Sequence, residues 1–553
     1  MKRLISCLII VAMLLAALPM AVFADETATQ EKAVDYIGYQ VKDNDARLVF
    51  GIKNTDISTL TGLGAIIKNQ LDGTSATVTN CSTVFEKIFA GDTEFVATTE
   101  GYDYVYLIVF TDMFKEMDTF DFVINAIYTT SQGMYQAGER TVENIDQSEY
   151  TTISAWSEIT SETGKYRLDK NSTFTSSASI ATFSGSLDGN GKTVTTSAPL
   201  FRSIKGAKIS NLVIDGNISG TTALLGGLAI WSETNPNTVV NVTNKATITM
   251  YMSGGAYAGG IVGHVKSDAT FYNCKNEGTI TLNNDKNVNG LGGIVGYGEI
   301  SNISLINCRN TGSIVINSTV NTVYSGGIAG QLKAVVANFT NCTNETTITL
   351  PQTVTTYQRF HRIGGILGYG CNATGNSFTF TNCTNSANLT SHGLTGGIAA
   401  ETNGYSSFVN CINNGDISAT ATNAGYWIYA AGILADSRND TAAAETLFKG
   451  CKNYGNISAE GIEDTNTWEV CAAGILGQNI RKTRVENCEN HGNLTSPSFD
   501  KAFVGVVVGK LNSDLTISGM TNDGKVVGNY ATEYNEAYVG IVSKGTLTFE
   551  NNT

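Results

Sequence analysis

The sequence predicts an all-β protein: a three-sided parallel β-helix, a solenoid, preceded by a small antiparallel β-sandwich. Two recurring phrases and the overall composition lead there. The first phrase reads Gly292-Gly293-Ile294-Val295-Gly296 and returns with drift at Gly226, Gly259, Gly326, Gly364, Gly396, Ala431, Ala473, Gly505 and Val539. Its steps are 33, 33, 34, 38, 32, 35, 42, 32 and 34 residues. A period of that size, with insertions absorbed at one place, marks stacked structural units. The second phrase follows each first at a nearly fixed distance and reads Asn273-Cys274-Lys275-Asn276-Glu277-Gly278. Its cysteine returns at Cys308, Cys342, Cys383, Cys411, Cys451 and Cys488, each with an asparagine two residues later. Only 5 prolines stand against 58 glycines, a balance suited to short strands joined by tight turns.

The elements follow in chain order. Lys2 and Arg3, the apolar run Leu4 to Leu18 and the small-residue site Val22-Phe23-Ala24 describe a secretory signal over 1–24. Losing Lys2 and Arg3 with it takes the formal net charge from −14 to −16, which opposes nucleic acid and anionic membrane as partners. No later apolar run is long enough to span a membrane. Residues 25–150 read as the β-sandwich, with alternation in Ala46 to Ile52 and Tyr102 to Phe110. Further strands are expected at Gly64 to Lys68, Ser82 to Phe89 and Phe120 to Tyr128. A connector is expected over 151–173, with a short helix near Ser154 to Thr160. The β-helix is expected over 174–553, opening with looser coils in which Asp188-Gly189-Asn190-Gly191 is a turn. Each later coil offers three strands, as in Gly292 to Tyr297, Ile303 to Asn307 and Ser313 to Asn317.

Stacking explains the second phrase. Equivalent residues of successive coils lie above one another, so the cysteines form an interior column. Val242 before the array and Met520 after it take the same slot, as expected for a small buried hydrophobe. A disulfide scaffold is the alternative for an exported chain with ten mature cysteines. The asparagine two residues after each cysteine is expected to adopt the left-handed turn and to form an amide ladder. In the first phrase, two adjacent aliphatics on one strand would place one column outward unless the glycines bend the chain. An outward column needs cover, from the chain's own loops or from a partner.

Catalytic chemistry is sparse. Glu277 and Glu345 share a slot two coils apart but lack further acids, and read as a solvated rim. His264, His361, His392 and His491 occupy different slots. No nucleophile–base pair, zinc spacing or phosphate loop stands out, so the chain reads as a non-enzyme without metal or cofactor. The candidate ligand-binding residues lie in insertions before the glycine pair: Tyr357, Phe360, Tyr426, Trp427 and Trp468. Trp427 and Trp468 belong to adjacent coils and could form a flat platform for a sugar ring or a protein partner. The competing account folds these rings back over the aliphatic column.

The two phrases, recurring in order from about Phe174 onward, resemble the GLUG-motif repeats of exported bacterial surface proteins. The resemblance implies a right-handed, pectate-lyase-like β-helix and a role in surface attachment or carbohydrate contact. The expectation is a secreted or cell-surface bacterial protein for adhesion, binding a glycan or a host or bacterial surface protein. The alternatives are a polysaccharide-cleaving lyase or hydrolase on the same fold, and a structural stalk.

Overall fold

The computed structural model describes residues 34–42, 45–52, 60–69, 75–78, 96–97, 104–110, 122–130 and 133–142 of an N-terminal unit. It then describes 150–174, 180–252, 254–284, 290–299, 302–317, 322–333, 336–350, 360–371, 376–421, 427–438, 445–461, 469–497, 502–528 and 538–549. The leader, Cys81, the strand expected at Ser82 to Phe89, and Tyr357, Tyr426 and Trp468 lie outside the described residues. The chain divides into two compact units, 1–150 and 151–553.

The first unit holds two four-stranded antiparallel sheets. One orders Val96–Ala97, Val34–Lys42, Asp45–Ile52 and Tyr104–Phe110; the other orders Ser75–Val78, Leu60–Asn69, Phe122–Thr130 and Gly133–Val142. Leu48, Phe50, Ala65, Ile124 and Ala126 are fully buried, and Arg140 reaches Asp35 on the other sheet at 3.0 Å.

The second unit is a parallel β-helix. Among the described residues its strands pair with equivalents one coil away, as Val262 with Val295 and Val295 with Ala329. One resulting sheet is 11-stranded, running from Phe201–Ile204 to Val539–Val542. The segment expected as a connector contributes strands to the rod. Lys165–Leu168 pairs in parallel with Thr151–Ile153 on one side and with Ser186–Thr196 on the other. The helix expected there is a single 3-10 turn, Trp156–Glu158.

Each coil carries more strands than the three expected. One coil reads Gly290–Gly292, Val295–Glu299, Asn302–Ile306, Arg309–Asn310 and Ile314–Asn317. The glycine pair breaks what the sequence presents as one strand into two, on different sheets. Because the chain bends there, both aliphatics point inward: Ile294 and Val295 are fully buried, as are Ile261 and Val262, and Ile366 and Leu367. No outward aliphatic column forms in these coils, so none needs cover. The last copy is also corrected. Val539 pairs with Val508, the fourth residue of its phrase, so Val539 sits three places later than the sequence suggests.

The cysteine column is as expected. Cys274, Cys308, Cys342, Cys383, Cys411, Cys451 and Cys488 are all fully buried free thiols. Each thiol donates to a carbonyl, as Cys342 to Leu305 at 3.3 Å. Burial pushes the Cys308, Cys383 and Cys411 thiols up. Beside them Phe339, Phe380, Phe408 and Phe448 stack nearly flat, with ring centroids 4.6–5.0 Å apart.

Two asparagine ladders flank the thiols. The inner one is the residue two after cysteine, fully buried throughout. Asn276 Nδ2 donates to Asn310 Oδ1 at 2.8 Å and also to Gly278 O at 2.9 Å. Asn385 to Asn413 and Asn413 to Asn453 repeat this at 2.9 and 2.8 Å. The left-handed backbone belongs instead to the asparagine before cysteine: Asn273, Asn307, Asn341, Asn382, Asn410 and Asn487 have φ of 51–54°. Gly450 and Gly519 fill that position in two other coils, also with positive φ, since glycine and asparagine bear this conformation best. These outer amides donate the opposite way along the rod, as Asn382 to Asn341 at 3.1 Å. The two ladders' dipoles therefore oppose.

The phrases interlock across the interior. A Cβ on Gly293 would stand 2.6 Å from Cγ of Asn310, and one on Gly432 would stand 2.6 Å from Cγ of Asn453. From Gly227 to Gly474 this second position is glycine because an inner-ladder asparagine lies against it, while Val506 takes the place in the Gly505 coil.

Candidate functional corner

The bend at each glycine pair is re-entrant, so outward side chains from the two flanking strands converge. Two positions do this: the residue two before the first glycine, and the residue five after it. Down the rod the first reads Tyr257, Gly290, Tyr324, Arg362, Leu394, Tyr429, Cys471 and Phe503. The second reads Trp231, His264, Tyr297, Gln331, Tyr369, Glu401, Asp436, Gln478 and Lys510. A residue of the first column meets the second column one coil on. Tyr257 stacks on Tyr297 with centroids 4.5 Å apart, Tyr324 meets Tyr369 at 4.8 Å, and Arg362 Nε donates to Glu401 Oε2 at 2.5 Å.

The N-terminal coils fill the corner with rings. His264 lies 4.8 Å from Trp231 and 4.6 Å from Tyr297, centroid to centroid. Burial, with Lys266 nearby, lowers its pKa to about 3, so the ring is neutral although Glu299 lies 3.4 Å from Nε2. A hollow of about 340 Å³ opens beside Trp231, lined also by Ala181, Thr182, Arg202, Ser203 and Glu233. Lys266 Nζ lies over that indole, 3.8 Å from the centroid.

The middle coils hold charge. The Arg362 guanidinium sits over both Tyr324 and Tyr369, at 5.1 and 4.4 Å. Its partner Glu401 is 1 % exposed and also accepts from Asn403 Nδ2 at 3.3 Å. Next in the column comes Asp436, 0 % exposed, whose Oδ2 accepts from Arg438 Nε at 2.8 Å while among the described residues Oδ1 has no partner. Burial pushes Asp436 up to about 7; Arg438 opposes that rise and Glu401 adds to it.

The C-terminal coils turn apolar. Leu394, Tyr429 and Cys471 pack with Ala400, Ala431, Ala435 and Ala473 as a second cluster, separate from the rod's core, with half-buried Trp427 and Phe503 against it. Tyr429 Oη donates to Glu469 at 2.9 Å, and Lys510 pairs with Glu469.

Of the residues expected to bind ligand, Trp427 belongs to this corner. Arg438 lies over its indole, 4.3 Å from the centroid, so that face is already occupied. Phe360 begins a strand at the equivalent position two coils earlier, pairing with Thr322. The residue in register with Trp427 is Glu469, not Trp468. Sequence reasoning missed Trp231, Tyr257, Tyr324, Arg362, Tyr369, Glu401, Asp436 and Arg438. The signal was available: reading five residues past the first glycine of each pair lines up the second column.

The expected solvated rim lies elsewhere, with Glu277 between Lys275 and Lys245 at 2.5 and 3.6 Å, and Glu345 on Arg309 at 2.5 Å. Among the described residues, no group of three or more His, Cys, Asp or Glu is placed to hold a metal ion, and no helix is long and apolar enough to cross a membrane. No protein-family model matches the chain, and no curated protein matches it.

Proposed function

We propose that this is an exported β-helix of a bacterial surface, which binds a glycan along the re-entrant corner and serves in adhesion. The observation that supports this is the run of half-buried rings, Trp231, Tyr257, Tyr324, Tyr369 and Trp427, along one edge of the rod. Half-buried rings with fixed orientation lose little entropy on binding and suit the CH faces of sugars. The buried charges between them act as supports. A glycan array with the mature chain tests the reading: signal is expected, and Tyr324→Ala and Trp427→Ala, each folded at the assay temperature by circular dichroism, are expected to weaken it at least tenfold. Binding unaffected by either change overturns it.

One observation favours a second reading, a polysaccharide-cleaving enzyme: Glu401 and Asp436 are carboxylates in register on adjacent coils. Release of reducing or unsaturated sugar ends, lost in Glu401→Gln, is the outcome that reading requires. Silence in both assays leaves the stalk.

A further inference from the structure

The corner holds two arginines stacked on aromatic rings, and they differ in one respect. Arg362 is sealed: its side chain is 6 % exposed, and its Glu401 partner is 1 % exposed. Arg438 is held just as firmly but opens to solvent, with a side chain 26 % exposed. Its Nε is committed to Asp436 Oδ2 and its plane lies over Trp427. Among the described residues its two terminal amino groups have no hydrogen-bond partner. A guanidinium fixed at Nε and along its face presents a planar fork that matches a carboxylate with two parallel hydrogen bonds.

We propose that Arg438 is the anchoring site for the carboxylate of an acidic, uronate-type sugar within the glycan that the corner binds. This rests on the glycan reading above. Trp427 then acts as the support that orients the fork, with the sugar's carboxylate arriving end-on.

Asp436 sets the strength of this site. It faces Arg438 on its own strand, Glu401 on the preceding coil with Arg362 one coil before that, and Tyr429 and Cys471 across the bend, with Glu469 and Lys510 beyond them. Burial drives Tyr429 and Cys471 up, so both stay neutral near pH 7. An ionised Asp436 offsets the charge of Arg438, and a protonated one leaves it whole. With Asp436 raised to about 7, affinity for a carboxylated sugar rises as pH falls from 8 to 5.5. The mature chain's net charge of −16 repels an acidic ligand at long range, and salt screens that repulsion and the Arg438 attraction alike.

The test is calorimetry of the mature chain with an oligoglucuronate and its methyl ester, at pH 8 and 5.5. The acid is expected to bind at least tenfold tighter than the ester, and tighter at pH 5.5. Arg438→Gln, folded at the assay temperature by circular dichroism, is expected to abolish the preference, and Arg438→Lys to restore only part of it. Asp436→Asn is expected to bind at pH 8 as the unmodified chain does at pH 5.5. Equal binding of acid and ester, or a preference that survives Arg438→Gln, overturns the anchor. A neutral glycan bound at Trp427 with no acid preference leaves the glycan reading standing and removes this one. Capture of acidic peptides in place of sugars removes it too, and no glycan binding at all removes both.

Discussion

Glu401 and Asp436 stand side by side on successive coils, both sealed from water and each held by its own arginine. A general acid or base must reach the reacting atom with an available oxygen. Both Glu401 oxygens are taken, by Arg362 and Asn403, and the open Asp436 oxygen is buried. The pair reads as an internal brace for the corner.

Asp436 makes folding stability depend on pH. Its folded pKa of about 7 lies above the ordinary aspartate value of about 3.9. Between those values the folded chain keeps a proton that the unfolded chain releases. Stability therefore falls as pH rises through that window and stays lower above it. Asp436→Asn carries no such charge. Its melting temperature is expected to match the parent at pH 5 and to exceed it by a few degrees at pH 8. Parallel curves for the two proteins would contradict the assignment.

The inner and outer asparagine ladders differ in what they can tolerate. Asn413→Ala strands the Asn385 amide donor, the Asn453 acceptor and the Gly415 carbonyl inside the rod. Each buried group left unpaired costs roughly 1–3 kcal/mol. Asn382→Gly, at φ 53° on the partly exposed ladder, is expected within about 0.5 kcal/mol of the parent, because glycine holds that conformation without strain. Denaturant midpoints compare the two; equal losses would refute the distinction.

The thiol column is expected to be chemically silent until the rod opens. Iodoacetamide followed by mass mapping should label half-buried Cys371 in the native chain and spare Cys274, Cys308, Cys342, Cys383, Cys411, Cys451 and Cys488. All should react in guanidinium. Cys383→Val is expected to fold normally, because Val242 already occupies this slot fully buried. Native labelling of Cys383 would place the column wrongly.

Much of the rod was legible in the sequence because stacking repeats the same demand in every coil. The cysteine slot, its Val242 and Met520 substitutes, and the inner asparagines recur at fixed spacing for that reason. The left-handed residue was misplaced because asparagine stands on both sides of the cysteine, and spacing alone does not say which one turns. The corner was not legible for the opposite reason. Its two columns mix Tyr, Arg, Leu, Cys and Phe on one side with Trp, His, Tyr, Gln, Glu, Asp and Lys on the other, and no residue type holds from coil to coil. That they meet depends on the bend at the glycine pair, which alternation along a single strand does not reveal. Trp427 was found by its bulk, while the arginine lying on it was not.

The corner exists only if each glycine pair bends over a buried asparagine, and thermal unfolding of two glycine variants tests that most directly. A Cβ on Gly293 meets Asn310 Cγ at 2.6 Å and also the Gly327 carbonyl, whereas a Cβ on Gly254 meets nothing within 4 Å. Gly293→Ala is expected to lower the melting temperature by several degrees, and Gly254→Ala to leave it unchanged. Equal melting temperatures for Gly293→Ala and the parent would contradict the interlock and the corner built upon it.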